Sequence, residues 1–184
     1  MQVINLYGSS GSGKSTHAAG LAYELKTEGF KVEIITEYAK ELCILNSEHL
    51  LENQIWVFAN QYQKMKYLSE ELDFVITDSP LLLSSFYGIK YNYKFKNLFP
   101  LIKDVYNSFD NINLFLEREH SWDPYARVQT EEESNKDSET LKSFLKEEGI
   151  SYTIFKTGRY LPAILKKYII DNNLDVAEKL HEKR

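Results

Sequence analysis

The chain has a single cysteine, Cys43, among its 184 residues. One cysteine excludes an internal disulfide and is typical of proteins that work in a reducing cytoplasm. No apolar run approaches the roughly 20 residues of a membrane-spanning helix, and no signal peptide precedes the glycine-rich stretch that begins at Gly8. We therefore expect a cytoplasmic protein with no membrane partner. Cys43 lies in an apolar helical run, which favours a core thiol over a nucleophile.

Positive charge is in the minority, because 22 Lys and Arg residues face 27 Asp and Glu residues and give a formal charge of −5. This balance disfavours non-specific binding to a nucleic-acid backbone, although it is compatible with a local basic groove. The histidines lack metal-ligand spacing; they are His17, His49, His120 and His181. No internal repeat or low-complexity linker divides the chain, and its 43% apolar composition suits one compact domain over residues 1–184.

One motif near the start of the chain fits the pattern Gly, any four residues, Gly-Lys-Ser/Thr without a mismatch. A short apolar run at residues 3–7 precedes it and predicts a buried strand. Apolar residues recur at helical spacing after it, so the motif joins a strand to a helix. We predict that it binds the phosphates of a nucleotide through Gly8, Ser9, Ser10, Gly11, Ser12, Gly13, Lys14, Ser15 and Thr16.

The chemistry of phosphate binding explains these residue types. Glycines let successive backbone N–H groups surround phosphate oxygens, and the following helix directs its positive dipole end at the same anion. Lys14 would reach the β and γ phosphates, and Ser15 would place its hydroxyl on Mg²⁺. The sequence therefore predicts ATP and Mg²⁺ as cofactors. The alternative is a flexible Gly/Ser connection between a strand and a helix.

Strands and helices alternate along the rest of the chain, which predicts an α/β fold with a five-stranded parallel sheet between two helical layers. The predicted strands are 3–7, 31–35, 74–77, 112–116 and 150–155. The predicted helices are 15–28, 37–42, one that starts at Ser47, 81–109, one from Thr130 to Gly149, 159–170 and 174–180. Thr36 is expected to cap the second helix, and the 81–109 helix is expected to break near Gly88 and Pro100. The apolar seam of the third helix consists of Leu51, Ile55, Phe58, Tyr62 and Met65.

Ligands of parallel sheets bind at the carboxyl ends of the strands, and two acidic residues fall there. Asp78 closes the third strand, where it could bind Mg²⁺ or accept a proton from an attacking hydroxyl; its alternative role is to cap the helix after Pro80. Glu37 follows the second strand and could bind a substrate hydroxyl or act as the base, or be a surface acid. We expect the substrate to contact Glu37, Tyr38, Gln54 and Gln61, the two glutamines being two turns apart on one side of a helix.

The segment after the fourth strand has no periodicity and predicts a lid over about residues 118–134. Arg118 and Arg127 lie in it, and guanidinium groups bridge the oxygens of a phosphoryl group in transfer. Each could instead pair with a neighbouring acid such as Glu117, Glu119 or Glu131. A basic and aromatic stretch at residues 90–96 could bind DNA, or could be a half-exposed amphipathic segment. The 135–137 stretch departs from a guanine-reading motif by one residue, so we reject a GTPase.

These motifs together resemble the P-loop kinases of nucleosides and nucleotides, within them a branch similar to bacterial nicotinamide riboside kinase domains and small phage nucleotide kinases. The residues that carry the likeness are Gly8 to Thr16, Thr36 to Lys40, Gln61, Thr77 to Ser79, and the stretch from Asp123 to Glu131. The resemblance implies metal or catalytic work for Asp78, phosphate contacts for Arg118 and Arg127, adenine contact near Gly158, and a bacterial or phage-infected cell as the setting. The His-any-Gly-His module of the nicotinamide enzymes is absent upstream, which argues against a nicotinamide acceptor.

The sequence therefore predicts an ATP- and Mg²⁺-dependent kinase for a nucleoside, a nucleoside monophosphate or a related small molecule. A kinase that phosphorylates a modified base or an end in DNA is one alternative. A non-catalytic nucleotide-binding regulator or ATPase module is another. The choices between ATP and GTP, between monomer and homodimer, and between Asp78 and Glu37 as the base stay open.

Overall fold

The computed structural model describes residues 1–68, 71–123 and 130–173. The strands are β1 (Gln2–Tyr7), β2 (Val32–Ile35), β3 (Phe74–Thr77), β4 (Asp110–Glu117) and β5 (Thr153–Lys156). The helices are α1 (Lys14–Thr27), α2 (Tyr38–Ile44), α3 (Gln54–Lys66), α4 (Leu82–Lys90), α5 (Leu98–Asn107), α6 (Glu131–Glu147) and α7 (Leu161–Asp171), with a 3₁₀ helix at Glu48–Glu52. No helix in these ranges is long and apolar enough to cross a bilayer.

The five strands form one sheet in the order β2-β3-β1-β4-β5, and every pairing is parallel. The central strand β1 pairs with β3 on one side and with β4 on the other. All five carboxyl ends consequently meet at one edge of the sheet. The predicted α/β fold is confirmed.

Alternate residues of β1 point to opposite faces of the sheet, and each face is covered by helices. On one face Val3 and Tyr7 pack with apolar residues of α3, α4, α5 and α6. On the other face Ile4 and Leu6 pack with apolar residues of α1 and α7. Burial on both faces explains why β3 is a continuous apolar run and why β1 is apolar from Val3 to Tyr7 except at Asn5. The predicted three layers are therefore present.

The region after β2 differs from the sequence-based expectation at two points. Thr36 does not cap α2, because its hydroxyl donates to a carboxylate oxygen of Glu41 at 3.1 Å instead. The helix expected from Ser47 is divided into the 3₁₀ turn and α3, which begins where the Asn53 side chain accepts a hydrogen bond from the backbone of Trp56 at 3.3 Å. The cap separates the two pieces, and Ile55 is consequently 44% exposed rather than part of the seam.

Four further expectations are corrected. Gly88 lies inside α4, packed against the Phe99 ring, and the helix break falls at residues 91–97. Pro100 lies in the first turn of α5, where its missing N–H removes no intrahelical bond. Strand β5 begins at Thr153 rather than at residue 150. Cys43 is half-buried and not a core thiol.

Helix α6 begins as predicted. Thr130 Oγ1 accepts from the backbone N–H of Glu133 at 3.2 Å, and the Glu133 carboxylate accepts from the backbone N–H of Thr130 at 2.8 Å. This reciprocal capping box fixes where the chain leaves the predicted lid and becomes helical. The helix expected at 174–180 lies outside the described residues.

Helices α1 and α7 pack closely at Gly20, so a larger side chain at this position tests their contact. A Cβ atom at Gly20 would lie 2.6 Å from Cγ of Pro162, whose ring cannot move aside easily. Overpacking costs about 1–3 kcal/mol, against a gain of about 1 kcal/mol from the helix propensity of alanine. We predict that Gly20→Ala lowers the free energy of unfolding by about 1 kcal/mol, measured by urea denaturation.

A second substitution separates overpacking from other effects. Pro162→Ala removes the atoms that the new methyl group would meet. The double variant should therefore recover stability relative to the sum of the two single changes. Strict additivity in this double-mutant cycle would contradict the contact as the cause.

Candidate functional site

The phosphate loop, residues 8–15, follows β1 and continues directly into α1. Gly8 has φ 143°, and a Cβ atom there would lie 2.5 Å from Ser12 Oγ and 2.7 Å from the Leu116 carbonyl oxygen. Only glycine fits so close an approach at that backbone angle. Gly13 occupies the N-cap position of α1, and none of the described side chains caps that end. The first N–H groups of α1 therefore face the loop and favour an anion there.

The motif lysine lies over the loop. Lys14 Nζ donates to the backbone carbonyls of Gly8 and Ser9, both at 2.8 Å. These contacts hold a positive charge at the concavity where phosphate oxygens would lie.

Ser15 and Asp78 meet at the start of α1. Ser15 Oγ donates to Asp78 Oδ2 at 2.5 Å, and Asp78 is only 2% exposed. Asp78 Oδ1 is buried and has no hydrogen-bond partner in the part of the chain that the structure describes. Asp78 does not cap α4, whose N-cap residue is Leu81. A buried carboxylate oxygen without a partner is costly in a folded protein, and that cost would be relieved by a cation.

The oxygen donors at this point fit Mg²⁺. This ion binds through one or two protein oxygens and keeps waters and substrate phosphates as its other ligands. Within residues 1–68, 71–123 and 130–173, no group of three or more His, Cys, Asp or Glu side chains could hold a metal ion. A single carboxylate beside a hydroxyl suits an ion that shares its ligands with a nucleotide. Ser15 and Asp78 could therefore hold Mg²⁺.

A cavity of about 230 Å³ opens beside the phosphate loop. Its polar lining includes Glu37, Lys40, Gln54 and Ser84. Its apolar and aromatic lining includes Leu51, Val57, Leu83, Tyr87 and Tyr91. A concave site with mostly apolar walls and a few polar groups is the usual form of a small-molecule site. Glu37 and Gln54 thus lie where a substrate adjacent to the phosphates would bind.

Two polar groups in the cavity are set up for hydrogen bonding. Gln54 is 7% exposed and donates to the Leu51 carbonyl at 2.8 Å, while its own carbonyl oxygen has no partner among the described residues. Burial, followed by the negative charge of Glu37, raises the pKa of Tyr87 well above its usual value. Tyr87 therefore stays protonated, and its hydroxyl is able to donate a hydrogen bond.

Gln61 and Tyr38, the other two residues expected to contact substrate, form hydrogen bonds to neighbouring parts of the protein. The Gln61 side chain donates to Thr77 Oγ1 and accepts from the backbone N–H of Tyr38, both at 3.3 Å. Tyr38 accepts from the indole N–H of Trp56 at 2.8 Å. Neither side chain lines the cavity. Gln61 instead ties the start of α2, next to Glu37, to the end of β3, next to Asp78.

Arg118 follows directly after β4 and has a largely buried side chain, 9% exposed. Its guanidinium pairs with Glu131 at 2.9 Å and donates to Asn135 at 2.8 Å, so the alternative pairing considered for it is present here. One terminal nitrogen, Nη1, has no partner among the described residues. Arg127 lies outside those residues, within 124–129.

The segment after β4 also reaches the phosphate loop. The Arg118 guanidinium lies over the Trp122 ring, 5.0 Å from its centroid. Gly11 has φ 72°, and a Cβ atom there would lie 2.7 Å from the same ring. Trp122 therefore covers the loop, a role that we did not assign from the sequence. In the sequence, the only indication of this role was that Trp122 is a large aromatic residue in the predicted lid.

The loop after β5 reaches the same edge of the sheet. Gly158 is exposed and follows Thr157, whose hydroxyl oxygen accepts from the backbone N–H of Glu119 at 3.0 Å. This bond joins the loop after β5 to the segment after β4. Gly158 is therefore beside the start of the lid.

The basic and aromatic stretch at residues 90–96 is exposed except for the half-buried Tyr93, and three of its side chains also donate hydrogen bonds within the protein. Lys90 lies 2.6 Å from both carboxylate oxygens of the buried Asp137 on α6. Tyr93 donates to Asn53 at 3.2 Å. Lys96 donates to Asn92 at 3.0 Å. Both interpretations of this stretch, a DNA-binding surface and a half-exposed amphipathic segment, stay predictions.

A family model described as an AAA domain matches residues 3–161. The chain belongs to this AAA-domain family. No curated protein matches it significantly.

Solved structures with a similar fold include two kinds of nucleotide-binding protein. Deoxyadenosine kinase from M. mycoides with its products dCMP and a flexible dCDP has 19% identity and a TM-score of 0.54, over 95% of this chain and 99% of that one. The same enzyme with dATP has 20% identity and a TM-score of 0.53, over 95% and 100%. NadR with NAD and AMP-PNP has 20% identity and a TM-score of 0.66, over 86% of this chain and 44% of NadR. The AAA-domain protein thus shares the P-loop kinase-like fold.

The position of Trp122 makes nucleotide binding directly observable. The chain has two tryptophans, and Trp56→Phe leaves Trp122 as the only one. Because the Trp122 ring contacts Gly11 and stacks on Arg118, we predict that Mg-ATP changes the emission of the Trp56→Phe variant. A fluorescence titration measures it.

The matched control keeps the other tryptophan. Trp122→Phe leaves Trp56, whose indole N–H donates to the Tyr38 hydroxyl at the start of α2, and its emission should change much less. Equal changes in the two variants would contradict the position of Trp122 over the loop. So would an unchanged emission of the Trp56→Phe variant at a nucleotide concentration that calorimetry shows to be saturating.

Proposed function

We propose that this AAA-domain protein is a kinase that transfers the γ-phosphoryl group of ATP to a nucleoside, a nucleoside monophosphate or a closely related small molecule. The observation that carries the proposal is the cavity with Glu37 and Gln54 in its wall, directly beside a complete phosphate loop. The loop forms one end of this cavity, and a pure nucleotide-binding module needs the loop but not the space that continues past it to Glu37 and Gln54. Structures of the same fold were solved with ATP analogues and deoxynucleotides, which supports a nucleotide as one ligand.

The phosphate loop is the donor site in this proposal. Backbone N–H groups of residues 8–15 and the start of α1 hold the phosphates, and Lys14 moves from the Gly8 and Ser9 carbonyls to the β and γ oxygens. Ser15 and Asp78 would hold Mg²⁺, which would supply positive charge against the phosphates. Arg118 contributes Nη1, which has no partner among the described residues, to the charge on the phosphoryl group in transfer, and we assign Arg127 the same task. Gly158 lies near the adenine.

The cavity is the acceptor site. A flat ring fits against its aromatic and aliphatic walls, where the Gln54 carbonyl accepts from a ring N–H and the Tyr87 hydroxyl donates. Gln61 and Tyr38 hold the cavity wall in place rather than contacting the acceptor. The acceptor oxygen attacks the γ phosphorus in line with the leaving oxygen, and Glu37 or Asp78 accepts its proton. Binding donor and acceptor side by side lowers the entropic cost of the transfer.

The decisive test is a screen with γ-labelled ATP across nucleosides, monophosphates, nicotinamide riboside and DNA with modified bases. We predict a labelled small molecule. Lys14→Ala should abolish transfer, and Asp78→Asn should lower kcat by about a hundredfold or more, because each removes charge stabilisation of the transition state.

Exposed residues of the same types provide the controls. Lys66→Ala on α3 and Asp104→Asn on α5 change the same functional groups at the surface and should retain full transfer. Undiminished transfer by Lys14→Ala would contradict the donor assignment. Slow ATP hydrolysis with no labelled acceptor would favour a regulator or ATPase module, and label in DNA would favour the DNA kinase.

The acceptor site has a separate test on helix α3. Gln54→Leu removes the buried carbonyl oxygen and should raise the KM for the acceptor about tenfold or more while leaving the KM for ATP unchanged, since the loss of one buried hydrogen bond is worth about 1–3 kcal/mol. Steady-state kinetics with each substrate varied in turn measures both values. Gln63→Leu, an exposed change on the same helix, is the control. A parallel rise in both KM values would instead indicate a general disturbance of the fold.

A further inference from the structure

Helix α6 contacts the phosphate loop through one hydroxyl group, that of Ser134. Its side chain is fully buried, with 0% exposure. Ser134 Oγ donates to the Ser10 carbonyl oxygen at 2.6 Å. It also lies 3.0 Å from Ser9 Oγ, and because a hydroxyl has one hydrogen, Ser9 is the donor in that second bond. One side chain therefore fixes two consecutive residues of the loop.

The bond to Ser10 determines which way the next amide points. In a trans peptide the carbonyl and the following N–H lie in the peptide plane and point in opposite directions. Holding the Ser10 carbonyl toward α6 consequently turns the Gly11 N–H away from α6. Ser10 and Gly11 both line the cavity at the phosphate loop.

Gly11 makes such a restraint necessary. Its φ is 72°, and glycine populates positive and negative φ about equally, so the Ser10–Gly11 peptide can rotate at little cost. An unrestrained peptide would present its carbonyl to an anion for part of the time. A hydrogen bond from a rigid, fully buried group biases the loop toward one orientation.

We propose that Ser134 is a positioning residue, which holds the Ser10–Gly11 peptide in the orientation that offers the Gly11 N–H to a nucleotide phosphate. The inference rests on the proposed function to the extent that the loop binds nucleotide. Two neighbours of Ser134 on α6, Glu131 and Asn135, hold Arg118. Helix α6 therefore sets the orientation of the loop amide and the position of the lid arginine together.

The test is the affinity of the full chain for Mg-ATP, measured by calorimetry. Ser134→Ala removes the donor and frees the peptide to rotate, and we expect the Kd to rise about tenfold, the usual effect of one lost hydrogen bond. Ser143→Ala is the matched control, because its hydroxyl donates to the Glu139 carbonyl of the same helix. That control should keep the wild-type Kd within about twofold.

Urea denaturation of the same proteins separates positioning from stability. If Ser134 only stabilises the fold, Ser134→Ala lowers the unfolding midpoint and leaves the Kd unchanged, and this result would overturn the proposal. Should the alanine variant fail to fold, Ser134→Cys keeps a side chain of similar shape with a much weaker donor. It is expected to show a raised Kd, and wild-type affinity in it would overturn the proposal equally.

The outcome for the wild-type protein distinguishes the two levels of inference. A wild-type protein that binds no Mg-ATP overturns the proposed function and the role of Ser134 with it. Wild-type binding together with unchanged affinity in the Ser134 variant overturns the positioning role alone. Wild-type binding with selective weakening in that variant supports both.

Discussion

The parallel pairing of β1 between β3 and β4 is the constraint on which the site depends. Parallel strands end at the same edge, so three segments distant in sequence leave the sheet side by side: the phosphate loop, Asp78 and Arg118. The pairing is held by burial rather than by local preference, because β1 has apolar residues on both faces and each face is covered by helices. A change that weakened either layer would move the parts of the site relative to one another.

Buried polar atoms at this edge are left unsatisfied by the described residues. They include Asp78 Oδ1, the Gln54 carbonyl oxygen and Arg118 Nη1. Such atoms cost stability unless a ligand or water satisfies them. The Asp78 oxygen could bind a cation, the Gln54 oxygen could accept from a ring N–H, and the Arg118 nitrogen could donate to a phosphate. These three atoms are the candidate ligand-binding atoms of the proposed kinase site.

Local sequence signals predicted the strand, loop and helix around residues 8–15 well, and the role of the loop as donor site stays a prediction. The geometry of the motif from Gly8 to Ser15 depends on its glycines, its lysine and the start of the helix. All of these are close together in the chain, so a local pattern is enough to recognise them. The capping box at Thr130 and Glu133 is equally local and is confirmed. Asp78 was placed correctly at the end of β3 because the strand itself was recognisable, whereas its role stays a prediction.

Contacts between segments that are distant in the chain could not be predicted from the sequence. Ser134 bonds to residues about 125 positions away, and no periodicity reveals which face of α6 meets the loop. Gln61 and Tyr38 were expected in the cavity, but the helical spacing of Gln54 and Gln61 could not show that one of them turns toward Thr77. Thr36 had the right residue type for a cap, yet a nearby carboxylate was the stronger partner. In each case tertiary packing decided between local options of similar energy.

The central claim is that the phosphate loop and Asp78 together bind the triphosphate of a nucleotide with Mg²⁺. Calorimetric titration of ATP into the wild-type protein, with Mg²⁺ and then with the metal removed by EDTA, tests it most directly. The account predicts saturable binding of one ATP per chain that weakens markedly when Mg²⁺ is removed. Absence of any heat of binding at millimolar ATP with Mg²⁺ would contradict it.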